Sequence, residues 1–216
     1  MTELVLHNYF RSSTSIRVRA ALNLKGLDYL YAAYALLQSE HRAHAYLTLN
    51  PQGLVPALQI SPEKVLTQSL AIIEYLDEVY PTPRLLPEDA LGRARVRALA
   101  MIIGCDIHPL NNLRVLQALR KDFAASDGQV TTWFQTWVHE GFAALENRLD
   151  HESETGAFCH GDEPGLADIC LYAQVLNNQR FNVDMTPFPN ISEIFARCES
   201  LPAFANAHPA RQPDAV

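Results

Sequence analysis

The feature that most constrains the fold of this chain is a change of pattern near residue 80. Residues 80–87 read YPTPRLLP and carry three prolines in eight positions, a composition typical of a segment between domains. Before this segment, short β-prone runs alternate with helical repeats, whereas only helical repeats follow it. The pattern predicts an α+β domain at 1–80, a linker at 81–88 and an all-α helical domain at 89–216.

The first domain is predicted to begin with a βαβ unit. Leu4–Asn8 has the composition of a strand. Apolar positions in 16–25 recur at helical spacing, and Gly26 follows where a left-handed residue ends a helix. The remaining predictions are a strand at 27–34, a short helix at 40–49, a hairpin around 57–66, and helices at 68–79, 93–123, 131–149, 166–181 and 191–198.

Charge and cysteine usage exclude several classes of protein. The net charge of −7 and the pI of 5.6 argue against a nucleic-acid-binding surface, which needs a basic face. The longest apolar runs are too short for a membrane span, and no secretory signal is seen. The four cysteines form no CxxC motif, which favours a cytoplasmic protein with free thiols.

A run of hydroxyl side chains precedes the first helix. Ser12, Ser13, Thr14 and Ser15 lie between Arg11 and Arg17. One hydroxyl suffices to cap a helix, so the others invite a second explanation. A helix N-terminus carries a partial positive charge, and a hydroxyl there can donate a hydrogen bond to a thiolate.

Residues 10–22, FRSSTSIRVRAAL, resemble the SSC(S/A)xRVRIAL signature of zeta-class glutathione transferases. The resemblance continues in register from about residue 4 to residue 214. It is carried further by NPQGLVPAL at 50–58, QSLAIIEYL at 68–76, DIHPLNNLRVL at 106–116, GDEPGLADICL at 161–171, RFNVDMTPFP at 180–189 and the tail Arg211–Asp214.

The resemblance implies a thioredoxin-like N-terminal domain, an all-α C-terminal domain and a homodimer. It implies glutathione as a cofactor that is not consumed, and cis–trans isomerisation of a maleyl substrate. A thiolate that adds to the double bond permits rotation and then leaves, which is nucleophilic catalysis. Maleylacetoacetate isomerases look most similar, and maleylpyruvate isomerases are near relatives.

The same resemblance assigns the catalytic positions. It places Ser12 facing the glutathione sulfur, with Ser13 and Thr14 lining the same turn and Ser15 as the helix cap. The family signature usually has cysteine where this chain has Thr14. Some bacterial relatives in the family, including maleylpyruvate isomerases, also carry threonine there, which implies that a second sulfur is not essential to the isomerisation.

Glutathione-binding positions carry over from both domains. The Val55-Pro56 bond resembles the family's cis-proline turn, which aims the Val55 backbone at the peptide. Gln68 and Ser69 are expected to bind the γ-glutamyl carboxylate, together with a helix N-terminus. The remaining positions are His41, near the glycine end, and His108, Asn112 and Arg114, which match positions lining the cleft in relatives.

Arg11 and Arg180 are the candidates for binding substrate carboxylates, because a guanidinium offers a planar bidentate fork. Arg180 could equally compensate a helix dipole. A metal site is not expected, since His41 and His44 have no third ligand nearby.

Three alternatives to a maleylacetoacetate isomerase remain open. They are a maleylpyruvate isomerase, a general glutathione transferase, and a binding module without turnover. The hydroxyl run and the Gln68-Ser69 pair are intact, which disfavours the binding module. Arg11 and Arg180 disfavour a general transferase, because the second-substrate site of such enzymes tends to be apolar.

Overall fold

The computed structural model describes residues 3–215, which divide into two compact units. The first unit extends to Leu85 and also includes the chain from Ser200 onward, and the second is Leu86–Glu199. The sequence-based boundaries placed everything after residue 88 in the second domain, so the two divisions differ in the segment after Ser200. Within the described residues, no helix has the length and apolar character needed to cross a membrane.

The first unit follows the predicted order. Its elements are β1 (Leu4–Asn8), α1 (Ser13–Leu24), β2 (Tyr29–Ala33), α2 (His44–Leu49), β3 (Ala57–Ser61), β4 (Lys64–Thr67) and α3 (Ser69–Val79). The second unit contains α4 (Ala90–Met101), a π-helical turn (Ile102–Ile107), α5 (His108–Asn111), α6 (Leu113–Asp122), α7 (Asp127–His151), α8 (Leu166–Gln179) and α9 (Pro189–Ser200). A last helix, α10 (Pro202–Ala207), belongs to the first unit and was not predicted.

The sheet of the first unit has the strand order β2-β1-β3-β4. β1 pairs with β2 in parallel, as the predicted βαβ unit requires, and antiparallel with β3. β3 and β4 form the predicted hairpin. This mixed sheet with its helices is the predicted thioredoxin-like fold.

Helix α1 is buried on nearly all sides, because it packs against both α3 and α10. Ile16, Val18 and Leu22 are at most 2% exposed. The helix ends as predicted at Gly26, whose φ of 63° is left-handed and at which the Leu27 N–H returns to the Leu22 carbonyl at 3.0 Å. Burial on nearly all sides makes α1 a rigid support for the residues at its N-terminus.

The second unit is helical, as predicted, but the prediction of a single helix over 93–123 is wrong. The helical run continues from α4 through the π-helical turn and α5 and ends at Asn112, whose backbone is extended (φ −76°, ψ 162°). Asn112 is then the N-cap of α6. At Gly141 in α7, an added Cβ would lie 2.5 Å from the Ile107 side chain. Glycine there permits the π-helical turn to approach α7 closely.

Candidate functional site

Helix α1 begins three residues earlier than its apolar repeat indicates. Ser12 is the N-cap, with extended backbone (φ −68°, ψ 119°), and its Oγ accepts the Ser15 N–H at 3.2 Å. The assignment of Ser15 as the cap is therefore wrong. Ser15 lies fully buried in the first turn, where its Oγ accepts the Tyr9 N–H at 3.4 Å.

The Ser12 hydroxyl belongs to a short chain of hydrogen bonds. Thr14 Oγ1 donates to the Val55 carbonyl at 3.0 Å and lies 2.8 Å from Ser12 Oγ. Because Thr14 has one hydroxyl proton, Ser12 is the donor between the two hydroxyls. The structure thus brings Ser12, Thr14 and Val55 together at the positive end of α1, while Ser13 is 5% exposed in the first turn.

The Val55-Pro56 peptide bond is cis, as the resemblance implied; so is Thr82-Pro83, which was not anticipated. The loop before it is braced, since the Leu54 carbonyl accepts the Tyr46 hydroxyl at 2.6 Å and the Asn50 amide at 2.7 Å. Within residues 3–215 the Val55 N–H has no hydrogen-bond partner. A backbone N–H and C=O are therefore presented beside the Ser12 hydroxyl.

The N-terminus of α3 lacks a side-chain cap. Its N-cap residue is Gln68, which has a left-handed φ of 67° and makes no capping hydrogen bond. The Gln68 amide instead donates to Gln52 Oε1 at 2.9 Å. Ser69 follows, 4% exposed, in the first turn. Uncapped N–H groups at a helix N-terminus favour an anion, and a left-handed glutamine is the kind of backbone strain found at functional sites.

A buried arginine that the sequence analysis did not select lies behind Ser69. Arg17 is 1% exposed, and its Nη1 reaches Ser69 Oγ at 3.5 Å. Its Nε and Nη2 have no hydrogen-bond partner among the described residues. An isolated buried charge is costly. A carboxylate bound at the start of α3 would neutralise the Arg17 charge and accept hydrogen bonds from its unpartnered nitrogens. The signal in the sequence was an arginine between the apolar residues Ile16 and Val18.

His41 and Arg11 lie in the same unit. His41 Nδ1 is buried with no partner within the described part of the chain. Burial and the neighbouring Arg42 lower the pKa of His41, which favours the neutral imidazole. Arg11 donates to the Tyr9 hydroxyl at 3.0 Å and lies 5.0 Å from the Phe10 ring centroid. No acidic side chain among residues 3–215 pairs with Arg11, so its charge is available to an anion.

The glutathione-binding candidates of the second unit lie along α5 and α6. His108 begins α5, and Arg114 is exposed in the first turn of α6. The Asn112 side chain accepts the Val115 N–H at 3.3 Å and donates to the Pro109 carbonyl at 3.0 Å. Asparagine is a poor helix former but a favoured N-cap, which explains its presence at this break between two helices.

Arg180 lies at the C-cap of α8, where its guanidinium donates to Asn177 Oδ1 at 3.1 Å and lies 5.8 Å from the Phe181 ring centroid. The same unit has a groove of about 420 Å³ that includes none of the predicted site residues. The groove is lined by Ile102, Cys105, Asp106, Leu110, Trp137, Glu140, Gly141 and Ala144. In the part of the chain that the structure describes, no cluster of three or more histidine, cysteine or acidic side chains could hold a metal.

The family of the chain follows from comparison with known proteins. Residues 6–84 match the glutathione S-transferase N-terminal domain, and residues 135–202 match the glutathione S-transferase C-terminal domain. The chain belongs to the glutathione transferase family.

The particular relatives are isomerases. The chain is 52% identical to a maleylpyruvate isomerase of Ralstonia sp., over 98% of this chain and 99% of the relative, and 48% identical to the maleylacetoacetate isomerase of Pseudomonas aeruginosa, over 97% of each. Its fold is similar to a holo structure of maleylpyruvate isomerase described as a bacterial zeta-class enzyme (TM-score 0.96, 52% identity, 98% and 100% covered). It is also similar to a maleylacetoacetate isomerase from Methylobacterium extorquens with bound malonate and glutathione (TM-score 0.95, 38% identity, 98% and 99% covered).

Proposed function

We propose that this chain is a glutathione-dependent cis–trans isomerase that converts maleylacetoacetate to fumarylacetoacetate. The observation that carries the proposal is the Ser12 hydroxyl, held at the N-terminus of α1 by Ser15 N–H and Thr14 Oγ1 beside the Val55 backbone. Relatives of nearly full length bear the names of such isomerases.

The residues present fit glutathione. The unpartnered Val55 N–H and the Val55 carbonyl can pair with its peptide backbone, as one more strand would. The uncapped start of α3, Ser69 and the orphaned N–H groups of Arg17 suit its γ-glutamyl carboxylate. Gln68 is proposed to bind the γ-glutamyl end of glutathione as well, and His41 its glycine end.

When bound, glutathione would supply the thiolate nucleophile for isomerisation by addition, rotation and elimination, in which the double bond is re-formed in the trans arrangement. The chain must favour the ionised thiol, whose ordinary pKa is about 8.5. Ser12 can turn its proton from Thr14 towards that anion, and the end of α1 adds a favourable field. A charged hydrogen bond is worth about 1.5–3 kcal/mol and the helix end about 0.3–1 kcal/mol, which together lower a pKa by about one to three units.

Arg11 and Arg180 are proposed to bind the substrate carboxylates and to stabilise the negative charge that develops on the conjugated carbonyl. Arg11 has no acidic partner in the described chain, which suits this role. His108, Asn112 and Arg114 remain proposed glutathione-binding residues, and Ser13 and Thr14 remain proposed members of the catalytic turn.

The test follows loss of the cis isomer with and without glutathione. Rapid turnover of maleylacetoacetate that requires glutathione is expected, and Ser12→Ala should lower kcat by about 100-fold, the value of one lost charged hydrogen bond. Ser126→Ala is the matched control, because Ser126 caps α7 as Ser12 caps α1. Both variants lose about 1 kcal/mol of stability, but only the first should lose activity. Absence of turnover by the unaltered chain would refute the proposal.

A second candidate is maleylpyruvate, because the 52% identical relative is named a maleylpyruvate isomerase. The two substrates share the maleyl group that the site would recognise. Parallel assays at equal substrate concentration decide between them, and the larger kcat/KM identifies the substrate.

We also propose that the chain acts as a homodimer in the cytoplasm. The resemblance to the family supports the dimer, and the free thiols of Cys105, Cys159, Cys170 and Cys198 suit a reducing compartment. Sedimentation of the purified 24.2 kDa chain tests the first point, since a monomer mass would contradict it.

A further inference from the structure

The loop that leads into Ser12 is held by a residue from the other end of the described chain. The Phe10 N–H donates to Asp214 Oδ2 at 3.1 Å, a contact between residues 204 positions apart. Asp214 Oδ1 accepts the Tyr31 hydroxyl at 2.5 Å. Phe10 is 5% exposed, and its N–H makes no other hydrogen bond in the part of the chain that the structure describes.

Arg19 binds the same loop at the Phe10 carbonyl. This guanidinium is fully buried and donates to the Phe10 carbonyl at 2.7 Å and to the Ala207 carbonyl at 3.0 Å. The segment after α10 is then turned back by Gln212, whose amide donates to the carbonyls of Asn206 and His208, both at 2.8 Å. Both polar groups of the Phe10 backbone are therefore held by side chains, the N–H by Asp214, 204 positions away, and the carbonyl by Arg19 on α1.

The two contacts of Asp214 are complementary. Burial and the adjacent carboxylate raise the pKa of Tyr31, so its hydroxyl stays protonated and donates. Each Asp214 oxygen then receives one donor, and the pair fixes the orientation of the carboxylate. Because only Arg11 separates Phe10 from Ser12, a displacement of Phe10 moves the N-cap of α1 directly.

We infer that Asp214 is a positioning residue for the reaction, which sets the place of the Ser12 hydroxyl by binding the Phe10 N–H. This inference rests on the proposed function, because the thiol that Ser12 would face is that of glutathione. The loss of Asp214 would act chiefly on the thiol, since the carboxylate site lies at the start of α3 and the loop before Val55 is held separately through the Leu54 carbonyl.

The first measurement uses the free protein. Hydrogen exchange of the Phe10 amide in Asp214→Ala should be at least about tenfold faster than in the unaltered chain, because its hydrogen-bond acceptor is gone. Arg211→Ala is the matched control from the same tail, since Arg211 is exposed and, among the described residues, its side chain bonds only Asn206 Oδ1, at 3.0 Å. Exchange in this control should not change.

The second measurement separates positioning from general loosening. In Asp214→Ala the pKa of the bound glutathione thiol, followed by the ultraviolet absorbance of the thiolate, should rise by about one unit. The affinity for S-methylglutathione, which has no ionisable thiol, should change by less than about twofold. Asp214→Asn keeps one oxygen to accept the Phe10 N–H, so its thiol pKa should lie between those of the unaltered chain and Asp214→Ala. This variant also provides the measurement if the alanine variant does not fold.

An unchanged thiol pKa in both variants would overturn the inference. So would an equal loss of affinity for glutathione and S-methylglutathione, which indicates a site that is disturbed as a whole. Failure of the unaltered chain to bind glutathione would remove the proposed function together with this inference. Normal behaviour of the unaltered chain with unaffected variants would remove the inference alone.

Discussion

Replacing Arg17 with methionine should stabilise the free protein and weaken its binding of glutathione. Arg17 is 1% exposed, its single hydrogen bond to Ser69 Oγ is long at 3.5 Å, and its Nε and Nη2 are unpartnered within residues 3–215. An apolar side chain of similar length removes the cost of burying that charge. Replacements of this kind are neutral or stabilising by about 1–4 kcal/mol, so a gain of about 1 kcal/mol in the free energy of unfolding is expected.

The loss of affinity follows from the same geometry. If the orphaned N–H groups bind the γ-glutamyl carboxylate, the variant loses charged hydrogen bonds worth about 1.5–3 kcal/mol. The Kd for glutathione should rise by about 10- to 100-fold, as measured by calorimetry. A glutathione analogue without that carboxylate should bind the unaltered chain and the variant about equally.

Arg19→Met is the matched control, because Arg19 is equally buried on the same helix but has its hydrogen bonds satisfied. Its removal leaves the Asn8 amide oxygen and the carbonyls of Phe10 and Ala207 without their donors. At about 1–3 kcal/mol for each buried acceptor, urea unfolding should show a loss of at least about 3 kcal/mol. An Arg17 variant as unstable as the Arg19 variant, with unchanged glutathione affinity, would refute the reasoning.

Three further predictions concern the supports of the site. Thr14→Val removes the hydrogen bond to the Val55 carbonyl at 3.0 Å; calorimetry should show a rise of about fivefold in Kd for glutathione, equivalent to about 1 kcal/mol, while Thr14→Ser should bind normally. Lys25→Met leaves the buried Asp77 carboxylate without the ammonium group that contacts it at 2.6 Å. Urea unfolding should therefore show a loss of about 3–5 kcal/mol in the free energy of unfolding, and a loss below about 1 kcal/mol would contradict this. Burial lowers the pKa of His7 below 6.5, so its contribution to stability should be complete above that pH and be lost as the pH falls towards the folded-state pKa. His7→Gln should lessen the difference in stability between about pH 7.5 and about pH 5.5, and an undiminished difference would exclude His7 as its source.

Features encoded by neighbouring residues were predictable from the sequence. β1 lies at Leu4–Asn8 as its composition indicated, and Gly26 ends α1 with a left-handed φ. The cis bond before Pro56 depended on resemblance, because composition alone favours trans. The Ser12 cap was missed because the first turn of α1 lacks the apolar repeat by which helices are recognised.

Features set by the environment were not predictable. Arg17 and Arg19 are the same residue type two positions apart, yet one lacks partners for two of its nitrogens and the other is held by several carbonyls. Their difference depends on Ser69 in α3 and on Ala207 in α10, which lie far away in sequence. In the sequence Asp214 is only part of a matching tail, since its contact with Phe10 joins residues 204 positions apart.

The discontinuity of the first unit bears on how the protein folds as it is synthesised. The strands and α1 leave the ribosome first, and domains usually fold in that order. Here α10, which packs against α1, and Asp214, which binds the Phe10 N–H, are synthesised only after the whole second unit. The face of α1 that packs against α10 therefore stays uncovered until the second unit has been synthesised, and the Phe10 N–H gains its acceptor only after Asp214 has left the ribosome.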